Sequence, residues 1–197
     1  MITKSLSFIL LTFTLLLVAC QSTPDHPVVA LETEAGTIRV ELYPEAAPLT
    51  VANFLSYVDK KMYDGASFYR VVRYDNQENP VPIAVVQGGL DLVIDVDSLT
   101  PIPHESTDKT GILHRDGVIS MARYGPGTAT SEFFICVGDQ PSLDFGGKRN
   151  PDGYGFAAFG RVIAGMDVVR KIHQGETTGD FQRLNTPVRI KRIYRDE

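Results

Sequence analysis

Tryptophan is absent from the 197 residues, and only two cysteines and four histidines are present. The histidines (His26, His104, His114, His173) are scattered without ligand spacing, so no metal centre is expected. Asp91, Asp95 and Asp97 lack the glycine and the late glutamate that a calcium loop requires. No serine sits in a nucleophile elbow. Gly153-x-Gly155-x-x-Ala158 follows the turn Asn150-Pro151-Asp152-Gly153 rather than a strand, and no helical pattern follows it, which excludes a dinucleotide fingerprint. A basic excess is missing too. With 19 Lys+Arg against 24 Asp+Glu, the net charge is −5, which argues against nucleic acid and against electrostatic attachment to anionic lipid. Hydrolysis, redox and metal chemistry therefore lack their parts, and no cofactor is implied.

One long apolar run exists, at the N-terminus. Lys4 precedes Phe8–Ala19, a run short of the roughly 20 residues a spanning helix needs. Its end, Leu17-Val18-Ala19-Cys20, resembles the bacterial lipobox. That resemblance implies a lipoprotein signal peptide over residues 1–19, cleavage before Cys20, and acyl chains on Cys20 that anchor the protein in a membrane. Several acyl chains, at about 0.8 kcal/mol per buried CH₂, make such an anchor effectively permanent. Gln21 follows the cysteine, which by the sorting pattern of such lipoproteins favours the outer membrane facing the periplasm in a Gram-negative cell. Residues 20–27 then form the lipidated cysteine and a polar tether, and 28–197 one domain. Cleavage removes Lys4 alone, leaving 18 Lys+Arg against 24 Asp+Glu, a net charge of −6. With Cys20 acylated, only Cys136 remains and no intramolecular disulfide can form; within Phe133–Val137 it reads as a small buried hydrophobe.

The domain reads as many short strands with two helices. Val28–Thr33 and Thr37–Tyr43 flank Glu34-Ala35-Gly36, a hairpin signal. Pro48 opens a helix whose apolar positions Val51, Phe54, Leu55 and Val58 recur at i, i+3, i+4 and i+7. Strand patterns follow at Val118–Arg123, Glu132–Gly138, Phe156–Val162 and Val188–Tyr194. A second helix is predicted over Gly165–His173. The pattern is mostly β, an antiparallel barrel or sandwich with helices covering its ends. A monomer is expected.

Ala66–Gly89 organises the rest. It reads as two strands, Ala66–Val72 and Pro82–Gln87, joined by a polar loop. Alternation predicts Phe68 and Arg70 on one face. An arginine cannot discharge itself and is expensive to bury unpaired. If the strands are neighbours, Arg70 and Gln87 point onto one patch with apolar walls, a site built of donors.

Phe68-x-Arg70-Val71, Val86-Gln87-Gly88-Gly89, Ile119-Ser120-Met121-Ala122-Arg123, Ser131-x-Phe133-Phe134-Ile135-Cys136 and Phe159-Gly160-Arg161-Val162 together resemble the ordered signature of cyclophilin-type peptidyl-prolyl isomerases. The likeness spans roughly Val29 to Tyr194. It implies a closed eight-stranded antiparallel barrel capped by two α-helices, acting on proline-containing polypeptides without a cofactor. By this resemblance Arg70 is the catalytic arginine, Gln87 the glutamine orienting it, and Phe134 the aromatic floor of the proline pocket. Phe68, Ala84, Val85, Met121, Ala122, Arg123, Glu132, Leu143 and Phe156 are implied to bind substrate. The chain departs from the family at Ala84, where a phenylalanine is common, and at Ser142, where drug-sensitive members have tryptophan, so weak cyclosporin binding is expected. Glu132 replaces a usual glutamine and Phe156 a pocket histidine. These departures leave a second reading open, a proline-peptide binding module with weak turnover.

Overall fold

A computed structural model describes residues 26–178 and 182–196; the predicted signal peptide and Cys20 lie outside the described residues. Among the described residues nine strands occur: β1 (Val28–Thr33), β2 (Thr37–Leu42), β3 (Ser67–Val72), β4 (Val85–Gly89), β5 (Val118–Met121), β6 (Phe133–Cys136), β7 (Ala157–Ala164), β8 (Thr177–Thr178) and β9 (Arg183–Arg195). All pairings are antiparallel, in the order β1-β2-β7-β5-β6-β4-β3-β9, and β9 returns to β1. Eight strands thus close a barrel, and the two-residue β8 hangs from β9. Closure removes sheet edges.

An eight-stranded barrel has an interior that side chains just fill. Here Phe54, Tyr63, Phe68, Phe133 and Phe159 do so, all fully buried. Phe133 meets Phe54, Tyr63 and Phe68 edge-on at 5.6, 5.7 and 5.8 Å between ring centroids, a favoured aromatic geometry. Helix α1 (Pro48–Asp59) contributes Val51, Phe54, Leu55 and Val58 to this core. Its proline occupies the first turn, where a missing N–H costs nothing. Glu105 caps it from a distant loop, accepting from the backbone N–H of Leu49 (3.2 Å) and Thr50 (2.8 Å). A carboxylate there satisfies orphan donors and the helix dipole.

Two helices were predicted. The structure adds a single-turn helix, α2 (Thr107–Thr110), ended by Gly111 at φ 72°, before α3 (Met166–His173). β9 begins five residues earlier than its apolar pattern suggests. Pro187 lies where the register with β3 jumps, between Phe68↔Val188 and Arg70↔Arg183. A proline cannot donate to a ladder, and the irregularity accommodates it.

Candidate active site

Strand alternation builds the site on the outside of the barrel. On β6, Phe133 and Ile135 point into the core while Phe134 and Cys136 belong to a second, outer cluster with Val72, Ile83, Val85 and Leu143. On β4, Val86 points inward, and Val85 and Gln87 outward. β3 breaks the rule. Its register against β4 shifts between Phe68↔Gly88 and Arg70↔Gln87, leaving Tyr69 as an extra residue. Such a bulge re-aims side chains. Phe68 therefore enters the interior core while Tyr69 and Arg70 line the two outer cavities.

The predicted sharing of a face by Phe68 and Arg70 is thus overturned, and Phe68 leaves the set of pocket residues. Met121 leaves it for the same reason: its side chain is fully buried in the interior. Ala84 is also turned away from the cavity. Its N–H donates to Gln140 Oε1 at 3.1 Å, and Ile83 lines the cavity instead. Ile83, Val85 and Gln87 share a period of two, so the sequence carried the signal for Ile83. The loop before it is tied down by Gln77, whose amide accepts from Ile83 N–H and donates to the Ile83 carbonyl.

The structure brings Arg70, Gln87, Val85, Phe134, Leu143, Ala122, Arg123 and Phe156 around one cavity of about 260 Å³, with Ile83, Tyr124, Arg149 and Asn150. Arg70 Nη1 donates to Gln87 Oε1 at 2.8 Å, and Nη2 to Gln182 Oε1 at 2.6 Å. Burial lowers the pKa of Arg70, and the Arg183 charge adds to that fall. Phe156 stands edge-on to Phe134, 5.3 Å between centroids. Arg123 offers little as a side chain to a ligand: the side chain is 1% exposed, and its guanidinium is paired with Asp152 at 2.8 Å and donates to the Gly155 carbonyl. Arg149 also lines the cavity, donating to Gln77 Oε1 and the Val81 carbonyl; nothing in its sequence context marks it.

A second cavity, about 290 Å³, shares Gln87, Ala122, Arg123 and Tyr124 and continues to Tyr69, Glu132, Asp91 and Thr130. Two adjoining cavities along one strand end suit an extended chain better than a compact metabolite.

Behind Phe134, His114 stacks parallel to its ring at 6.0 Å. His114 Nδ1 pairs with Asp144 Oδ1 at 2.7 Å and Nε2 with Ser120 Oγ at 2.9 Å. Serine, histidine and carboxylate in this order look hydrolytic, but Ser120 is fully buried and no carbonyl carbon can reach it. The trio supports the pocket floor. Cys136, wholly buried nearby, has its thiol pKa pushed well up by burial, which makes it a poor nucleophile.

Residues 28–195 match the family described as cyclophilin type peptidyl-prolyl cis-trans isomerase/CLD. The chain belongs to this family. It is 36% identical over 163 residues to a peptidyl-prolyl cis-trans isomerase of Acinetobacter baylyi, covering 82% of this chain and 80% of that one. It is 37% identical over 164 residues to peptidyl-prolyl cis-trans isomerase cyp18 of Streptomyces antibioticus, covering 81% and 91%. The fold matches the crystal structure of a Cryptosporidium parvum cyclophilin type isomerase with TM-score 0.69 at 20% identity, over 87% of this chain and 98% of that one. For this cyclophilin, the outer face of β3, β4 and β6 is the candidate active site.

Proposed function

We propose that this cyclophilin isomerises prolyl bonds by binding the twisted amide more tightly than either planar form. The observation that carries this is the Arg70–Gln87 hydrogen bond (2.8 Å) on the rim of a cavity walled by Val85, Phe134 and Leu143. Rotation about a peptide bond costs roughly 18–20 kcal/mol because the C–N bond is partly double. An X-Pro bond populates both isomers, yet exchanges in tens of seconds or more. At mid-rotation the proline nitrogen becomes pyramidal and its lone pair an acceptor. A fixed guanidinium donor then gains a hydrogen bond that the planar states do not offer.

Such a charge-assisted bond contributes about 1.5–3 kcal/mol, so Arg70 is one part of the machinery. The apolar walls exclude competing water and hold the ring, and the Ala122–Arg123 backbone and the second cavity grip the flanking peptide. An exchange assay with a proline peptide and the full chain tests this reading. No acceleration would overturn it.

The substrates in this reading are exported polypeptides, because Leu17-Val18-Ala19-Cys20 resembles a lipobox. The mature chain starts at Cys20, carries acyl groups on it, and works at a membrane of the cell envelope as a monomer. Intact-mass measurement should show a chain lacking residues 1–19 and heavier by its lipid, and Cys20→Ala should release the protein from the membrane fraction. A membrane-free protein retaining residues 1–19 would contradict the anchor.

A further inference from the structure

Glu132, at the entry to β6, was expected to touch substrate. Its carboxylate is instead saturated by the protein. Oε2 accepts from the Tyr69 hydroxyl at 2.5 Å, and Oε1 accepts from the N–H groups of Leu90 (2.6 Å) and Asp91 (3.1 Å) and from Ser131 Oγ (3.2 Å). The fold makes room for it: a Cβ on Gly89 (φ +148°) would lie 2.3 Å from Glu132 Oε1. Tyr69 is the bulged residue of β3, and its hydroxyl also accepts from Gln87 Nε2 at 2.8 Å. Gln87 Oε1 then accepts from Arg70 Nη1 at 2.8 Å.

We propose that Glu132 and Tyr69 are positioning residues for isomerisation, acting through Gln87 on Arg70. This rests on Arg70 and Gln87 being the catalytic pair. The physical reason is the sense of the hydrogen bonds. An ionised carboxylate only accepts and a guanidinium only donates. Between those two ends, the single Tyr69 proton must go to Glu132, its lone pairs must take the Gln87 N–H, and Gln87 Oε1 must face Arg70. The amide cannot flip, and the guanidinium keeps one azimuth toward the cavity.

Protonating Glu132 gives the carboxyl end a donor and removes the fixed sense. Burial raises the pKa of Glu132, Asp91 raises it further, and the bonds from Tyr69, Leu90 and Ser131 pull it down, leaving it above the usual 4.5. The other titratable groups facing it are Tyr63 from the turn after α1 and Arg183 from β9. The ionised form is the working one, so activity falls as pH drops through this pKa.

The test measures kcat and KM against pH for the full-length protein, Tyr69→Phe, Glu132→Gln and the double variant, with Arg70→Ala alongside. Tyr69→Phe keeps the ring over which the Arg183 guanidinium lies at 5.1 Å. The expected results are an acid limb above pH 4.5 in the unmodified protein and a kcat about tenfold lower at neutral pH in either single variant. KM should barely change, the limb should vanish, and the double variant should lose no more than either single one. The inference is overturned if the unmodified protein has no such limb, if folded Tyr69→Phe keeps full kcat, or if the loss falls on KM, which would mean direct contact with peptide. An Arg70→Ala variant of full activity would instead remove the catalytic pair itself.

Discussion

Arg70→Ala should turn prolyl amides about 10- to 150-fold more slowly, the loss expected from one charge-assisted hydrogen bond of about 1.5–3 kcal/mol. The loss should fall on kcat, because in the proposed reading the ring still rests on Phe134 and the flanking peptide still meets the Ala122–Arg123 backbone. Folding should survive: Arg70 is only partly buried and its acceptors Gln87 and Gln182 are partly solvent-exposed, so water can replace it there. Arg70→Lys should recover little. A lysine is a point charge without a planar fork, and it cannot reach Gln87 at 2.8 Å and Gln182 at 2.6 Å while still aiming a donor at the nitrogen. A protease-coupled or NMR exchange assay reads both variants, and wild-type turnover by Arg70→Ala would sink the role assigned to it.

Phe133→Ala should cause the largest loss of stability. Its ring is fully buried at the centre of the barrel, in contact with three other rings. Truncating such a side chain costs about 3–5 kcal/mol in transfer and cavity terms, and at about 2–4 °C per kcal/mol for a domain of this size, Tm should fall by roughly 6–20 °C. Below the new midpoint its specific activity should stay near normal, because Phe133 faces away from the cavity. Phe134→Ala should lower Tm too, because its ring is buried in the outer cluster with Val72, Val85 and Leu143, but it alone should collapse the turnover measured below the midpoint, because that ring faces the cavity. The difference follows from a strand that presents one ring to each side of the sheet. Calorimetry and turnover on both variants check it, and normal specific activity in folded Phe134→Ala would contradict it.

The barrel and most of its strand positions could be read from alternation and turn residues, and α1 from the spacing of Val51, Phe54, Leu55 and Val58. The site was harder. Arg70, Gln87, Phe134, Val85, Leu143 and Phe156 meet at one cavity, and the family signature named them. For Met121 the signature does not say which side of the strand the residue takes, and strict alternation from Ile119, also interior, settles it. For Phe68 alternation itself misleads, since the bulge at Tyr69 appears only in the pairing. Glu105 at the α1 N-terminus, Gln182 on Arg70 and Arg149 on the rim come from distant loops. No local pattern encodes contacts of that kind.

The central claim is differential binding: Arg70 meets a proline nitrogen only when the amide is out of plane. Comparing the affinities of a planar proline peptide and an analogue with a bridged, non-planar prolyl amide tests it most directly, in the unmodified protein and in Arg70→Ala. The account predicts a preference of about 10- to 150-fold for the non-planar analogue, abolished by Arg70→Ala with planar affinity unchanged. Equal affinity for the two in the unmodified protein would contradict it.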